Sequence, residues 1–159
     1  MTVDAPLADV FRFFEDPRNL ERITPPWLNF KILDPEKLVM RKGELIDYLI
    51  RWMGVPLKWR TRIADYQPPA MFIDQQIRGP YTLWHHTHTF EQTPQGVLIH
   101  DQVDYRLPLG PLGTIAHAVM VKAQLLGIFR YRQTAISEVF GGKAKLGEVV
   151  VAPLPNSPR

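Results

Sequence analysis

Gly79-Pro80-Tyr81-Thr82-Leu83-Trp84-His85-His86-Thr87-His88-Thr89-Phe90 is the stretch whose reading decides the fold, because its pattern repeats every two residues. In an extended segment Trp84, His86, His88 and Phe90 share one face, and Leu83, His85, Thr87 and Thr89 share the other. The aromatic ends select the first set as inward. The same alternation aligns Phe72, Asp74 and Gln76 on the preceding segment, and Asp101, Val103 and Tyr105 on the following one. Paired antiparallel, the three segments would set two imidazoles between two carboxylates. Farther out, Ile46, Tyr48, Ile50 and Trp52 share an inner face, as do Trp59, Thr61 and Ile63.

Working outward, the period of two runs from Leu28 to Arg106 and is punctuated by Gly43, Gly54-Val55-Pro56, Pro68-Pro69, Gly79-Pro80 and Pro94-Gln95-Gly96. It predicts an antiparallel meander with strands over 28–34, 43–52, 56–66, 70–77, 81–92 and 96–106. Upstream the period is helical. Leu7, Val10, Phe11 and Phe14 predict a short helix over 6–15 with Pro6 in its first turn, and Asp16-Pro17 starts a second through Ile23. Downstream, Gly110-Pro111 and Gly141-Gly142 bracket a proline-free stretch that predicts one helix of about 30 residues, about 45 Å long at 1.5 Å per residue. Its apolar stripe reads Leu112, Ile115, Val119, Ala123, Leu126, Phe129, Ile136 and Phe140, with Lys122, Arg130 and Gln133 at the margins. The reading is a single α+β domain over residues 1–140, a curved antiparallel sheet around a long C-terminal helix, followed by a Gly/Pro-rich tail over 141–159 expected to be mobile.

Composition narrows the chemistry. The 159 residues suffice for one domain, with 45% hydrophobic, 11% aromatic and 22% charged residues. Without cysteine there is no disulfide, thiolate metal site or thiol nucleophile. No apolar run reaches the about 18 residues that span a bilayer, and Met1 to Pro6 does not read as a signal peptide, so the expected location is the cytoplasm without membrane insertion. The pI is near 9.3, but the net charge is only +3 and the basic residues are dispersed, which argues against nucleic acid. The densest basic feature, Lys58, Arg60 and Arg62, alternates with Trp59, Thr61 and Ile63 and reads as the wet face of a strand.

An inward belt of His, Asp and Gln among aromatics costs about 1–3 kcal/mol for each group left unsatisfied. It therefore implies either a self-contained network that fixes strand register or a polar-lined pocket.

Several segments resemble the START-like, polyketide cyclase/dehydrase (SRPBCC) superfamily: Asp4-Ala5-Pro6 leading into Val10-Phe11, Ile23-Thr24-Pro25-Pro26, Gly43 through Tyr48, Trp59-Arg60-Thr61, Phe72 through Gln76, Gly79 through Phe90, and Ile128 through Arg132. The run from Gly-Pro-Tyr to His-x-His-x-Phe is the most specific, and it resembles a bacterial branch that also occurs fused to sugar-nucleotide epimerase-like domains. The resemblance implies a helix-grip fold of seven strands around the C-terminal helix, enclosing a cavity for lipids, polyketides, plant hormones or other apolar molecules. Such folds begin with a full strand, whereas only Met1 to Ala5 precede Pro6. Either a short edge strand suffices or the start is clipped, in which case an N-terminal extension would raise thermal stability.

The leading functional expectation is a non-catalytic binding module for a small apolar molecule, because no phosphate loop, nucleophile elbow or cofactor fingerprint is present. Contacts are expected from Tyr48, Trp59, Asp74, Gln76, Trp84, His86, His88 and Tyr105 on the sheet and from Leu126 and Phe129 on the helix. The alternative is a cofactor-free cyclase, dehydratase or hydrolase with His86 or His88 as base and Asp74 or Asp101 orienting it or serving as acid. A metal on His86 and His88 with Asp74 or Asp101 is a weaker reading, and no metal or cofactor is expected. Regulation through a protein partner, with the cavity ligand as signal, is the remaining class. Oligomeric state is not legible in the sequence.

Overall fold

The computed structural model describes residues 1–52, 54–108, 120–152 and 154. Its strands are β1 (Thr2–Val3), β2 (Lys31–Ile32), β3 (Leu45–Trp52), β4 (Val55–Gln67), β5 (Met71–Arg78), β6 (Leu83–Thr93) and β7 (Gly96–Arg106). They form one antiparallel sheet in the order β1-β7-β6-β5-β4-β3-β2. The five long strands fall within a few residues of the sequence prediction, since each is bounded by the Gly or Pro turns that delimit it. The predicted strand over 28–34 shrinks to two residues. Pro26–Leu28 forms a 3-10 turn there, and Asn29 takes a left-handed conformation with φ 44°, which leaves only Lys31 and Ile32 extended.

Strand β1 is a two-residue edge strand. Thr2 and Val3 pair with Leu98 and Val97, and the Met1 amino group donates to the Ile99 carbonyl at 2.8 Å. Two register shifts between β4 and β5, at Arg60/Thr61 and Ile63/Asp65, add the local twist that bends a sheet around its contents. The basic residues of β4 face outward as expected: Arg60 forms a bidentate pair with Asp47 at 2.7 and 2.8 Å, and Arg62 donates to Gln75.

Helix α1 (Leu7–Glu15) begins after Pro6, which stands at its cap with extended backbone rather than inside the first turn. Asp16 accepts from the Arg18 N–H and opens a 3-10 helix, Pro17–Glu21, shorter than the predicted element ending at Ile23. The C-terminal helix α2 spans Lys122–Val139, and Gly141 and Gly142 end it at positive φ. The predicted first part of this helix, with Leu112, Ile115 and Val119, lies outside the described residues.

Within α2 the inward stripe differs from the expected one. Val121, Leu125, Ala135 and Ile136 are buried, while Ala123 is exposed and Leu126 only half-buried. The inward face runs through Leu125, Phe129, Arg132 and Ile136, and Leu126 lies about 100° round the helix from Leu125. Thr2 and Lys145 exchange two backbone hydrogen bonds of 2.9 Å, and Leu154 N–H donates to the Tyr105 carbonyl, so the described part of the tail is tethered along the β7 side of the sheet.

Two apolar clusters fill the space between sheet and α2. One gathers Val10, Phe11, Phe13 and Phe14 of α1 with Phe72, Phe90, Val97, Ile99 and Ile136. The other gathers Ile50, Trp59, Tyr81, Tyr105, Val121 and Leu125. The histidine belt lies between them.

Candidate functional site

Strand register builds the belt directly. Asp74 on β5 pairs with His86 on β6, and His88 pairs with Asp101 on β7, so all four side chains stand on the helix-facing side. Each imidazole meets both carboxylates. His86 Nε2 lies 3.2 Å from Asp101 Oδ1 and Nδ1 lies 3.5 Å from Asp74 Oδ2, whereas His88 Nε2 lies 2.9 Å from Asp74 Oδ2. His88 Nδ1 approaches Asp101 Oδ1 to 2.6 Å without the alignment of a hydrogen bond. The rings are 3.8 Å apart, with Phe72 stacked on His88 at 4.3 Å and Phe129 of α2 edge-on to His86 at 5.8 Å. His86 and His88 are 4% and 3% exposed, so their charge states are set by these neighbours rather than by water.

The two histidines are pushed in opposite directions. For His86, burial and the adjacent His88 lower the pKa, and the contributions of Asp74 and Asp101 do not compensate. For His88, burial also opposes the charge, but the contacts with Asp101 and Asp74 outweigh it and the pKa is raised. Burial pushes both carboxyls up, yet the histidines hold Asp74 below the usual carboxylate range and Asp101 well below it. The ring therefore favours the ionised form of both carboxylates and the charged form of His88 over that of His86.

A cavity of about 150 Å³ opens beside this ring. Its apolar wall includes Phe13 and Phe14 of α1, Leu20, Ile23, Leu28 and Phe30 from the segment after α1, Ile46, Ile50, Ile63 and Phe72 from the sheet, and Leu125, Ile128 and Phe129 from α2. Asp74, His86 and His88 form one polar wall. A second polar group stands on β3 and β4, where Trp59 Nε1 donates to Thr61 Oγ1 at 3.1 Å and Tyr48 Oη lies 3.2 Å from the same oxygen. Burial raises the Tyr48 pKa well above its ordinary value, so the phenol stays protonated. Arg132 completes the lining from α2.

Among the residues singled out from the sequence, Tyr48, Trp59, Asp74, Trp84, His86, His88 and Phe129 line this cavity together. Gln76 does not, because its amide is occupied by the Tyr81 backbone, donating to the carbonyl at 2.6 Å. Tyr105 and Asp101 face a second cavity of about 150 Å³ between β7, α2 and the tail. Leu126 lines neither, and Leu125 and Ile128 line the main cavity in its place. Thr61 and Arg132 are site residues the sequence reading did not select. Arg132 was detectable, since it follows Leu125, Ile128 and Phe129 at helical spacing and so shares their face.

Asp74, His86 and His88 bring one possible ligand atom each within 4.8 Å of one another, close enough for a small divalent ion. A cation there would have to replace the His–Asp contacts just described, as those atoms already face one another at 2.9–3.5 Å. Among the described residues no helix is long and apolar enough to cross a membrane.

The model of a family described as polyketide cyclase / dehydrase and lipid transport matches residues 3–127. Solved structures share the fold at low sequence identity. Protein CV1439 from Chromobacterium violaceum has 16% identity and a TM-score of 0.64, with 88% of this chain and 93% of that one covered. Protein Ms6760 from Mycobacterium smegmatis has 16% identity and a TM-score of 0.63, covering 91% and 89%. TTHA0849 from Thermus thermophilus has 15% identity and a TM-score of 0.63, covering 91% and 96%. No curated protein matches the chain.

Proposed function

Since this chain belongs to the polyketide cyclase / dehydrase and lipid transport family, we propose that it binds a small, largely apolar molecule in the cavity between its sheet and its C-terminal helix. One observation carries the reading: an aromatic and aliphatic cavity between two packed clusters has polar groups at a few fixed positions, the usual composition of a small-molecule site. Its volume of about 150 Å³ matches the about 150 Å³ of an apolar cavity that accepts benzene. A single ring therefore fits the present conformation, and larger ligands need the wall to move.

Trp59 and Trp84 stand in the wall, so occupancy alters intrinsic fluorescence. Native mass spectrometry of protein purified without detergent is expected to show an adduct of small mass. Benzene-sized apolar probes are expected to perturb tryptophan emission saturably. No adduct, together with no saturable response to any probe, would remove the proposal.

A second reading, cofactor-free acid–base catalysis, is supported by the divergence of His86 and His88, one favouring the neutral form and one the charged form at the same cavity wall. In that reading neutral His86 accepts a proton from the ligand and His88 supplies one. Its test is His86→Ala in a screen of cyclisation, dehydration and ester-hydrolysis substrates. Loss of turnover with retained probe binding supports it, and unaltered turnover counts against it.

A further inference from the structure

Arg132 is half-buried on the cavity face of α2, and among the described residues it has neither a hydrogen-bond nor an ion-pair partner. Its Nε is fully enclosed and unsatisfied. Its guanidinium carbon lies 5.6 Å from the centroid of the Phe129 ring. An arginine in such surroundings normally acquires a carboxylate, because an unmet donor away from water costs about 1–3 kcal/mol. Two carboxylates are nearby, yet both are committed to the histidines. Arg132 lines the main cavity together with Asp74 and Tyr48 and also borders the second one; against the larger opposing effect of burial, its positive charge makes a small contribution in favour of the ionised forms of Asp74 and Tyr48.

A second donor faces the same space. Thr61 Oγ1 already accepts from Trp59, and one hydrogen bond joins Thr61 to Tyr48. Whichever hydroxyl donates across that contact, the other keeps a hydrogen with no acceptor among the described residues. The cavity thus offers a planar cation and a spare O–H to its occupant, from opposite walls.

We propose that Arg132, assisted by the Tyr48–Thr61 hydroxyl pair, anchors a carboxylate, so that the ligand is a small aromatic acid with its ring among the apolar side chains. This deepens the binding proposal above and rests on it. Guanidinium suits this role because its parallel N–H groups match the two oxygens of a carboxylate. A neutral analogue would leave the cation without its partner.

The test is calorimetric titration of the full chain with benzoate and with benzyl alcohol, alongside Arg132→Met and Arg132→Lys, with circular dichroism to verify folding. Wild type is expected to bind the acid about 10- to 100-fold more tightly than the alcohol, as charge-assisted hydrogen bonds require. Arg132→Met is expected to weaken acid binding by about that factor and alcohol binding much less, so that the preference is lost, and Arg132→Lys to keep part of it. Equal affinity for the two compounds in wild type, or equal losses for both in Arg132→Met, overturns the carboxylate anchor and leaves the binding cavity standing. A neutral adduct in native mass spectrometry does the same, whereas an acidic adduct lost in Arg132→Met supports the anchor. If neither compound binds and no adduct is found, the cavity reading fails and the anchor fails with it.

Discussion

Replacing Asp101 by Asn removes one of the two carboxylates that face both imidazoles of the ring. Asp101 Oδ1 lies 3.2 Å from His86 Nε2 and 2.6 Å from His88 Nδ1, so one isosteric change removes the negative charge facing both rings. His88 keeps only its 2.9 Å contact with Asp74. Breaking a buried ion pair by deleting one partner costs about 3–5 kcal/mol. Two features place this case at the lower end: Asp74 remains, and His88 can release its proton. The expected loss is therefore about 3 kcal/mol at pH 7, which for a domain of this size is about 6–12 °C in Tm. Urea denaturation measures the first quantity, and imidazole titration by NMR measures its cause. The His88 pKa, raised in wild type, should fall in the variant. A double-mutant cycle with His88→Gln isolates the pair. A stability change under about 0.5 kcal/mol, or an unchanged His88 titration, would refute the claim that the ring is held by shared charge.

Other consequences follow from the same coordinates. The raised pKa of His88 gives stability that is present below the unfolded value near 6.5 and is lost as pH rises through the folded value. The lowered pKa of His86 acts oppositely, its contribution declining as pH falls below 6.5, and Asp74 and Asp101 lose theirs as pH drops below about 3.8. Denaturant midpoints against pH should peak near neutrality and fall on both sides, and a midpoint constant from pH 4 to 9 would contradict this. Gly96 has φ +116°, and a Cβ there would collide with the Val3 carbonyl of β1. Gly96→Ala should cost about 1–3 kcal/mol in a thermal or urea melt and release β1 first, as faster amide exchange at Val97 and Ile99. Ile128→Trp, which places a larger ring in the cavity, should abolish probe binding while leaving the melting temperature within a few degrees; unaffected binding would locate the probe elsewhere.

The sheet was legible because its information is local. Gly and Pro mark each turn, and an alternation anchored on Trp84 and Phe90 fixed which side of β5, β6 and β7 faces α2. The same alternation placed Asp74, His86, His88 and Asp101 on one surface before any pairing was known. What it could not show is lateral distance. Asp74 and Asp101 flank the same histidines but open onto different cavities, because the helix and its Phe129 and Arg132 side chains divide the space between them. Gln76 has the right register, yet the backbone of Tyr81, five residues later, claims its amide. Leu126 failed for a different reason: it lies one residue, about 100° round α2, from Leu125, and the inward face is centred on Leu125, Ile128, Phe129 and Arg132.

The ring also explains why so polar a belt persists between two apolar clusters. A slip of one residue between β6 and β7 would turn His85, Thr87 and Thr89 inward and leave Asp101 without an imidazole. Ionised carboxylates so enclosed are costly without partners, so the His-x-His spacing excludes the slipped pairing more strongly than aliphatic residues could. The register selected in this way is the one that brings Trp84 and Phe90 inward and Asp74 to the cavity wall. Fold specification and site chemistry thus draw on the same four side chains. Substitutions in the ring should therefore change stability and ligand affinity together, whereas Arg132, which holds no element of the sheet in place, should change affinity alone.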